Sequence, residues 1–241
     1  MLLEVCVDDA LGLAEAIAGG ADRIELCAAL SLGGLTPSPG LMDLAATCGL
    51  PCYPVIRRRP GAFVFARPEV AVMRADIRAA RAAGLTGVVL GATRPDGRLD
   101  ASVLADLIAE ADGLDLTLHR AIDLAPDPDE AVETAVTLGF RRILTSGGAP
   151  KAHLGLTRLA LMIQVARGRL SIMPGSGVTT RTWPHLAHLA VTEVHASCAV
   201  SLPGHPDPFG FVTGTERRTD QTRVRALKAA LTQPLVRQSH D

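Results

Sequence analysis

Lysine is almost absent from this sequence of 241 residues, although arginine is common. Only Lys151 and Lys228 occur, and neither lies in a segment with the character of a strand. Schiff-base enzymes need a lysine amine at the reacting carbonyl. The sequence also has no nucleotide-binding P-loop and no dinucleotide-binding glycine fingerprint after its first predicted strand. These absences argue against a Schiff-base aldolase and against the common nucleotide-binding enzymes.

The chain likewise lacks net charge and long apolar runs. A formal charge of −1 at pH 7 gives no electrostatic case for nucleic acid or for an anionic membrane as a partner. No stretch approaches the ~20 apolar residues of a transmembrane helix, and the opening MLLEVCVDDALGL carries acids rather than the basic start of a signal peptide. Five scattered cysteines indicate free thiols. We therefore expect a cytoplasmic protein.

What the sequence does contain is a short apolar run followed by a helical stretch, repeated eight times. The predicted strands are LLEVCV, DRIELC, CYPVIR, TGVVLG, LDLTLHR, RRILTS, RLSIMPG and EVHAS. Strict alternation of strands and helices predicts a parallel sheet with right-handed crossovers. Eight units in this length favour a single α/β domain over residues 1–241, a (β/α)8 TIM barrel. An open, doubly wound sheet is the alternative.

The predicted barrel leaves a C-terminal remainder. The eight strands fall within residues 2–197, and a loop and a helix occupy residues 198–241. We expect an irregular stretch from Ala199 and a last helix from Glu216 to Leu231. On this fold the stretch would lie at the top face, where it could cover a site.

Side-chain alternation predicts an unusually polar barrel interior. Residues two apart on a strand share a face, and the apolar faces must meet the helices. The residues left to point inward include Glu4, Cys6, Arg23, Glu25, Cys27, Arg57, Asp115, Thr117, His119, Glu193, His195 and Ser197. One interpretation is a structural salt-bridge network of Glu4, Arg23, Glu25, Arg57 and Glu193. The other is a functional mouth, because barrel enzymes keep their chemistry at the C-terminal ends of the strands.

Cys6, Cys27 and His195 form the first candidate site. Their strands are neighbours in the predicted barrel, so adjacent backbones lie about 4.8 Å apart. Two thiolates and an imidazole suit Cu(I) or Zn(II), although buried cysteines are more often small core residues. Cys48 and Cys52 belong to the opposite end of the barrel, and we interpret them as structural.

The segment HRAID forms the second candidate site, at the end of the fifth strand. His119 is a candidate general acid or base. Arg120 or Asp123 would orient it or bind an anion, whereas the alternative is a packed histidine beside a surface ion pair. Glu25 and Arg57 are further candidates for the catalytic group.

Glycines occur in two consecutive loops at the mouth of the predicted barrel, TSGGA after the sixth strand and PGSGV after the seventh. Glycine lets backbone N–H groups approach an anion, and phosphates in barrels often bind near the last two strands. We therefore predict a ligand site for an anion formed by Ser146, Gly147, Gly175, Gly177 and Ser197. Turns also need glycine, which is the alternative explanation.

Taken in order, these segments resemble the motif blocks of the copper homeostasis protein CutC family. GADRIELC with GGLTPS, and HRAID with LTSGG, carry the resemblance, which runs from Leu3 to about Ser197. The resemblance implies a TIM barrel, copper binding and a cytoplasmic location, without a settled reaction.

Two functions therefore stand side by side. The first is a protein that binds Cu(I) through Cys6 and Cys27 with His195 or His119. The second is an enzyme for a small anionic or phosphorylated metabolite, with Arg57 and the two glycine-containing loops binding the anion. Barrels of this size commonly self-associate, so a homodimer is also expected.

Overall fold

The computed structural model describes residues 1–202, residue 209 and residues 216–232. The strands are β1 (Leu2–Val7), β2 (Arg23–Leu26), β3 (Cys52–Pro54), β4 (Gly87–Leu90), β5 (Asp115–Leu118), β6 (Arg142–Thr145), β7 (Ser171–Pro174), β8 (Glu193–Ala196), β9 (Ala199–Leu202) and β10 (Glu216–Thr219). The helices are α1 (Ala10–Gly19), α2 (Pro39–Ala46), α3 (Arg67–Ala82), α4 (Ala101–Glu110), α5 (Pro128–Thr137), α6 (Leu156–Ala166), α7 (Trp183–Leu186) and α8 (Gln221–Thr232).

The first eight strands form the predicted (β/α)8 barrel. Two parallel sheets, in the orders β3-β2-β1-β8 and β4-β5-β6-β7, make up its wall. A parallel bridge between Val55 and Val89 joins β3 to β4, and β7 lies beside β8. The fold prediction is confirmed, because a strand–helix alternation of this length closes into a barrel more readily than into an open sheet.

Helix ends follow the local chemistry of the sequence. Asp9 and Ser38 cap α1 and α2 by accepting backbone N–H bonds with their side chains, and Pro39 takes the first helical position. Such caps satisfy N–H groups that have no partner inside the helix. Gly20 ends α1 with a φ of 90°, a left-handed conformation that glycine adopts without steric cost.

The apolar residues divide between two layers. Leu3, Val5 and Val7 of β1 pack outward against the helices in the main core. A small separate cluster inside the barrel contains Cys6, Cys27, Tyr53, Val55 and Val89. The predicted inward and outward faces of β1 are therefore confirmed, and the limited apolar filling leaves room for polar groups inside.

The region after β8 differs from the expectation. Residues Ala199–Leu202 and Glu216–Thr219 pair as antiparallel strands, whereas we expected an irregular stretch and a helix from Glu216. The helix starts later because Asp220 accepts the N–H of Arg223 with its side chain and the N–H of Val224 with its carbonyl. That pattern is typical of a helix N-cap. In the described part of the chain, no helix is long and apolar enough to span a bilayer.

Candidate functional site at the mouth of the barrel

The lower part of the barrel interior is a closed network of ion pairs. Arg23 contacts Glu4 and also donates to Glu193 at 2.5 Å. Arg142 lies 3.5 Å from Glu193 and 3.3 Å from Asp115. All but Asp115 are buried, so these charges are stable inside the barrel because each has an opposite partner. We call this set, Glu4, Arg23, Glu193, Arg142 and Asp115, the lower ion-pair layer.

Glu4 connects the lower ion-pair layer to the mouth. Its second oxygen lies 2.8 Å from Nδ1 of His195. Burial opposes ionisation of Glu4, but the hydrogen bond from His195 and the charge of Arg23 outweigh burial and lower its pKa to about 2. Glu4 is therefore an ionised carboxylate that fixes the orientation of the His195 ring.

Three potential metal ligands converge above this layer. Donor atoms of Cys6, Glu25 and His195 lie within 4.8 Å of one another, and all three residues are buried. They come from three adjacent strands, because β1 pairs with β2 on one side and with β8 on the other. We call Cys6, Glu25 and His195 the donor group.

The electrostatics of the donor group are strongly coupled. Burial lowers the pKa of His195, but the nearby Glu25 and Cys6 outweigh it and raise this pKa well above its usual value. For Glu25 burial is the dominant effect and raises the pKa, although the charge of His195, 3.8 Å away, acts to lower it. His195 thus balances the charge of the acids around it, as a metal cation would do.

Cys27, the other predicted thiol ligand, lies beside the donor group rather than within it. Its Sγ donates to Glu25 Oε2 at 3.6 Å, and the residue has no solvent exposure. Burial and then Glu25 raise the pKa of Cys27 well above its usual value. Glu25 takes the place in the donor group that we predicted for Cys27, and its role as an acid or base stays a prediction.

Arg57 takes no part in the ion-pair network that one interpretation of the sequence assigned to it. It donates to the carbonyls of Leu32, Gly33, Gly34 and Gly61 at 3.0 to 3.3 Å. The side chain reaches these loops because Arg57 lies beyond the end of β3, whereas the ion-pair layer lies lower in the barrel. Within the described residues it forms no salt bridge, and its buried Nε has no hydrogen-bond partner.

His119, directly after β5, also carries a buried polar atom without a partner in the described part of the chain. Its Nδ1 accepts the backbone N–H of Ala121 at 3.1 Å, so a neutral ring carries its proton on Nε2. Among the described residues no group hydrogen-bonds to that buried Nε2. Burial and the nearby Arg57 lower the pKa of His119 to about 3. With its pKa lowered in this way, His119 is a neutral hydrogen-bond donor near pH 7, and its role as a general acid or base stays a prediction.

Tight packing holds the His119 ring in place. Phe63 packs on it with ring centroids 4.8 Å apart, and the Arg57 guanidinium lies 4.8 Å from the Phe63 ring centroid. A Cβ on Gly91 would collide with the ring. Glycine is thus required at position 91 so that the ring can lie against β4.

Asp123 is bound by the loop after β6, and its hydrogen-bond partners among the described residues do not include His119. Its carboxylate accepts hydrogen bonds from the side chains of Arg120, Thr145 and Ser146. It also accepts the backbone N–H groups of Ser146 and Gly148. The protein's own carboxylate therefore already takes N–H groups that we predicted for an external anion at TSGGA.

The other residues predicted for the anion site have local structural contacts. Gly147 donates to Thr145 Oγ1, and Gly175 donates to the Thr145 carbonyl. A Cβ on Gly175 would collide with Leu144, and Gly177 has a φ of 74°. The side chain of Ser197 accepts from Arg217 at 3.5 Å. An anion site formed by these residues stays a prediction.

Sequence reasoning missed Tyr53, Arg142 and Gly91. Tyr53 stacks under both Arg23 and Arg142, with guanidinium-to-ring distances of 5.4 and 5.0 Å. Arg142 was recoverable, since its neighbour Ile143 faces the helices and alternation turns Arg142 inward. The need for glycine at position 91 could not be predicted from the sequence, because it follows only from the position of the His119 ring.

The loop after β2 covers the donor group. Its turn Leu30–Leu32 places Leu30 against the inner cluster that contains Cys6 and Cys27. The Leu30 N–H is fixed by Asp8 at 2.8 Å. The stretch from Ala199 was a second candidate for covering the mouth, and residues 203–208 and 210–215 of that stretch lie outside the described residues.

Comparisons with known proteins agree on one family. The sequence profile of the CutC family matches residues 1–200. A CutC family protein of Sinorhizobium medicae is 56% identical over 235 residues, with 96% of each chain covered. One from Caulobacter vibrioides is 49% identical over 237 residues, with 95% of this chain and 96% of that protein covered.

Solved structures extend the likeness to three dimensions. A Streptococcus agalactiae protein described as a candidate copper homeostasis protein CutC has a TM-score of 0.78 at 29% identity, over 82% of this chain and 98% of that chain. The thiamine phosphate pyrophosphorylase of Pyrococcus furiosus has a TM-score of 0.61 at 13% identity, over 95% of each chain. The second likeness shows the fold alone.

Proposed function

This chain belongs to the CutC family, and from that premise we propose that it binds copper(I) as cargo at the mouth of its barrel. The observation that carries the proposal is the donor group, in which a thiol, an imidazole and a carboxylate converge from three adjacent strands. The likeness to the Streptococcus agalactiae protein, described as a candidate for copper homeostasis, supports copper as the metal.

The spacing of the donor atoms fits one metal ion after a small contraction. Ligand atoms around a tetrahedral ion lie about 3.5 Å apart, and the three donors here lie within 4.8 Å of one another. Soft copper(I) prefers the sulfur of Cys6 and the imidazole of His195. Cys27, 3.6 Å from Glu25, would supply a second sulfur, whereas the Glu25 oxygen suits zinc better.

Glu4 supports His195 as a ligand. It holds Nδ1 at 2.8 Å and so leaves Nε2 directed toward the donor group. A carboxylate behind a ligating histidine is a common arrangement in metal sites, because it fixes the tautomer and strengthens the donor. Binding requires the ring to lose its proton, so metal uptake releases protons. The free thiols at all five cysteines support a reducing location such as the cytoplasm.

The test is an anaerobic copper(I) titration of the reduced full-length chain against a competing chelator. We expect one tightly bound ion and at least a tenfold loss of affinity in Cys6→Ser and in Cys27→Ser. Cys48→Ser/Cys52→Ser is the matched control, because it removes two thiols from the opposite end of the barrel. Zinc(II) titrations run beside it identify the preferred metal.

The contrary results are equally specific. Weak copper binding that is unchanged in Cys6→Ser and in Cys27→Ser would show that copper does not bind at this mouth. Loss of the bound copper only in the control variant would place it at the other thiol pair, which also contradicts the proposal. Tight zinc binding together with weak copper binding would support a metal site at the mouth but exclude copper as its cargo.

A second candidate function is the binding and conversion of a small anionic metabolite. The observation that favours it is the pair of buried N–H groups at the mouth, on His119 Nε2 and Arg57 Nε, for which the described residues provide no acceptor. A buried guanidinium without a carboxylate partner is costly, and an oxyanion between Arg57 and His119 would satisfy both groups.

The expected ligand for this second function carries a carboxylate or phosphate oxygen. A neutral histidine that donates from Nε2 can polarise a carbonyl or stabilise an oxyanion. Glu25 is a predicted acid or base of the same mouth, and burial raises its pKa. The loop after β6 contributes less than we expected, because Asp123 occupies its N–H groups.

Crystals soaked in acetate, phosphate or sulfate test this candidate. We expect an ordered anion within hydrogen-bond distance of His119 Nε2 or Arg57 Nε. The variant His119→Asn keeps an acceptor for the Ala121 N–H but removes the ring donor, so it should abolish the bound anion. An ordered water alone, or an unoccupied mouth at saturating anion, would contradict this function.

A further inference from the structure

Two thiols meet at the end of the barrel opposite the mouth, outside the sites described above. Cys48 follows α2, and Cys52 is the first residue of β3. Their sulfur atoms lie 3.4 Å apart, and both cysteines are free. We propose that Cys48 and Cys52 are a modification site, a dithiol that a low-molecular-weight disulfide such as oxidised glutathione converts reversibly into an intramolecular disulfide.

The local backbone allows the two sulfurs to approach. A disulfide bond is about 2.05 Å long, so the sulfurs must move together by about 1.4 Å from their present separation. Cys52 is fixed, because β3 pairs with β2 at Ile24. Cys48 lies in the turn between α2 and β3, next to Gly49, which has a φ of 81° and open space around it. The movement therefore falls on the Cys48 side.

The burial of the two residues sets the order of the chemistry. Cys48 is half-buried, whereas Cys52 is only 1% exposed. Burial and the neighbouring Cys48 raise the pKa of Cys52, which makes Cys52 the poorer attacking thiol. Cys48 is thus the attacking residue, and Cys52 is the resolving residue.

The exchange then balances in two steps. The Cys48 thiolate attacks one sulfur of oxidised glutathione, forms a mixed disulfide and releases one glutathione thiolate. Cys52 gives its proton to solvent, attacks the Cys48 sulfur and releases the second glutathione thiolate. The two cysteine thiols are oxidised to one disulfide, and one oxidised glutathione is reduced to two thiols.

The remaining cysteines are poorer targets. Cys6 and Cys27 are buried under the mouth. Cys198 is half-buried, and burial raises its pKa to about 12, so it is a weak nucleophile. The Cys48–Cys52 disulfide would tie the end of α2 to the start of β3, at the end of the barrel that serves stability rather than catalysis.

Mass spectrometry of the full-length chain tests this proposal. The reduced protein is equilibrated with defined ratios of reduced to oxidised glutathione, quenched, alkylated and mapped by peptide. We expect a species lighter by two hydrogen atoms, with the bond between Cys48 and Cys52, that thiol reagents reverse. Cys52→Ser should instead stop at a glutathione adduct on Cys48, and Cys48→Ser should form neither product.

Cys198→Ser is the control and should behave as the wild type. The proposal is overturned if Cys48 and Cys52 both stay open to alkylation in the most oxidising mixture, or if a stable glutathione adduct accumulates on the wild type. Should Cys52→Ser fail to fold, Cys48→Ser and the wild-type peptide map still decide between these outcomes. Because none of these measurements involves copper, they stand apart from the copper proposal.

Discussion

The lower ion-pair layer and the mouth are built from the same residue types, yet they differ in how their charges are satisfied. In the lower layer, Arg23 and Arg142 each contact carboxylates. At the mouth, the Arg57 guanidinium donates hydrogen bonds to backbone carbonyls and has no carboxylate partner among the described residues. Both Arg57 and His119 also carry an N–H group without a partner there.

This difference separates a structural role from a functional one. In the lower layer each charged side chain has an oppositely charged partner, and even the Arg142 Nε, which makes no hydrogen bond among the described residues, lies 3.5 Å from Glu193. Its charges are therefore balanced without a ligand. The mouth is incomplete, and incomplete buried polar groups are tolerated mainly where a ligand completes them. A polar barrel interior is therefore not by itself a sign of function; the absence of internal partners is the better sign.

The largest expected effect comes from breaking the lower layer at its centre. Arg23→Met leaves the buried Glu4 and Glu193 without their shared cation, and removing one partner of a buried pair typically costs about 3–5 kcal/mol. We expect a loss of this size in the free energy of unfolding, measured by denaturant titration. Arg74→Met, which removes a half-exposed partner of Glu110, is the control and should cost much less. Equal losses would show that the lower layer is no more important than the surface pairs.

The second prediction concerns the protonation of His119. Its pKa falls from an ordinary 6.5 to about 3 in the folded chain because of burial and Arg57. As the pH falls from 6.5 to 3, the unfolded chain takes up this proton before the folded chain does, so stability is lost across that window. The loss should be on the order of a few kcal/mol at most, since a tenfold change in proton affinity corresponds to about 1.4 kcal/mol.

The measurement for that prediction is the free energy of unfolding against pH for the wild type and His119→Asn. The variant should show a flatter dependence between pH 6.5 and pH 3, whatever its absolute stability. His188→Asn, at an exposed position, should keep the wild-type slope. A slope unchanged by His119→Asn would mean that folding does not lower the pKa of His119, which would contradict the effect of burial and Arg57 described above.

The sequence predicts the barrel well because the barrel depends on local, periodic features. Strand faces follow from alternation, as β1 shows, and the helix starts at Asp9 and Ser38 follow from capping chemistry. The hairpin of β9 and β10 escaped prediction, because its short second strand, ERRT, is polar throughout. Such a segment has no hydrophobic period that distinguishes a strand from the start of a helix.

The candidate site is less predictable because it depends on partners far apart in the sequence. Alternation places Glu4 and His195 inside the barrel, but only the strand register brings together two residues that are 191 positions apart. Alternation predicts an inward side chain at Arg57, yet the carbonyls that it binds are set by the path of the loop over residues 32–34. The glycines of TSGGA indicated N–H groups available to an acceptor. The local sequence does not show that the Asp123 carboxylate is that acceptor.

The smallest predicted effect tests whether the mouth is held as tightly as the lower layer. A Cβ on Gly91 would meet the His119 ring, so Gly91→Ala should overpack this point and cost about 1–3 kcal/mol in the free energy of unfolding. Gly40→Ala, in α2 with open space around it, is the control and should be neutral or slightly stabilising. In a His119→Ala background the cost of Gly91→Ala should nearly vanish, because contacting residues are not additive. If the two costs add instead, the ring does not lie against β4, and the mouth is looser than the lower layer in geometry as well as in charge.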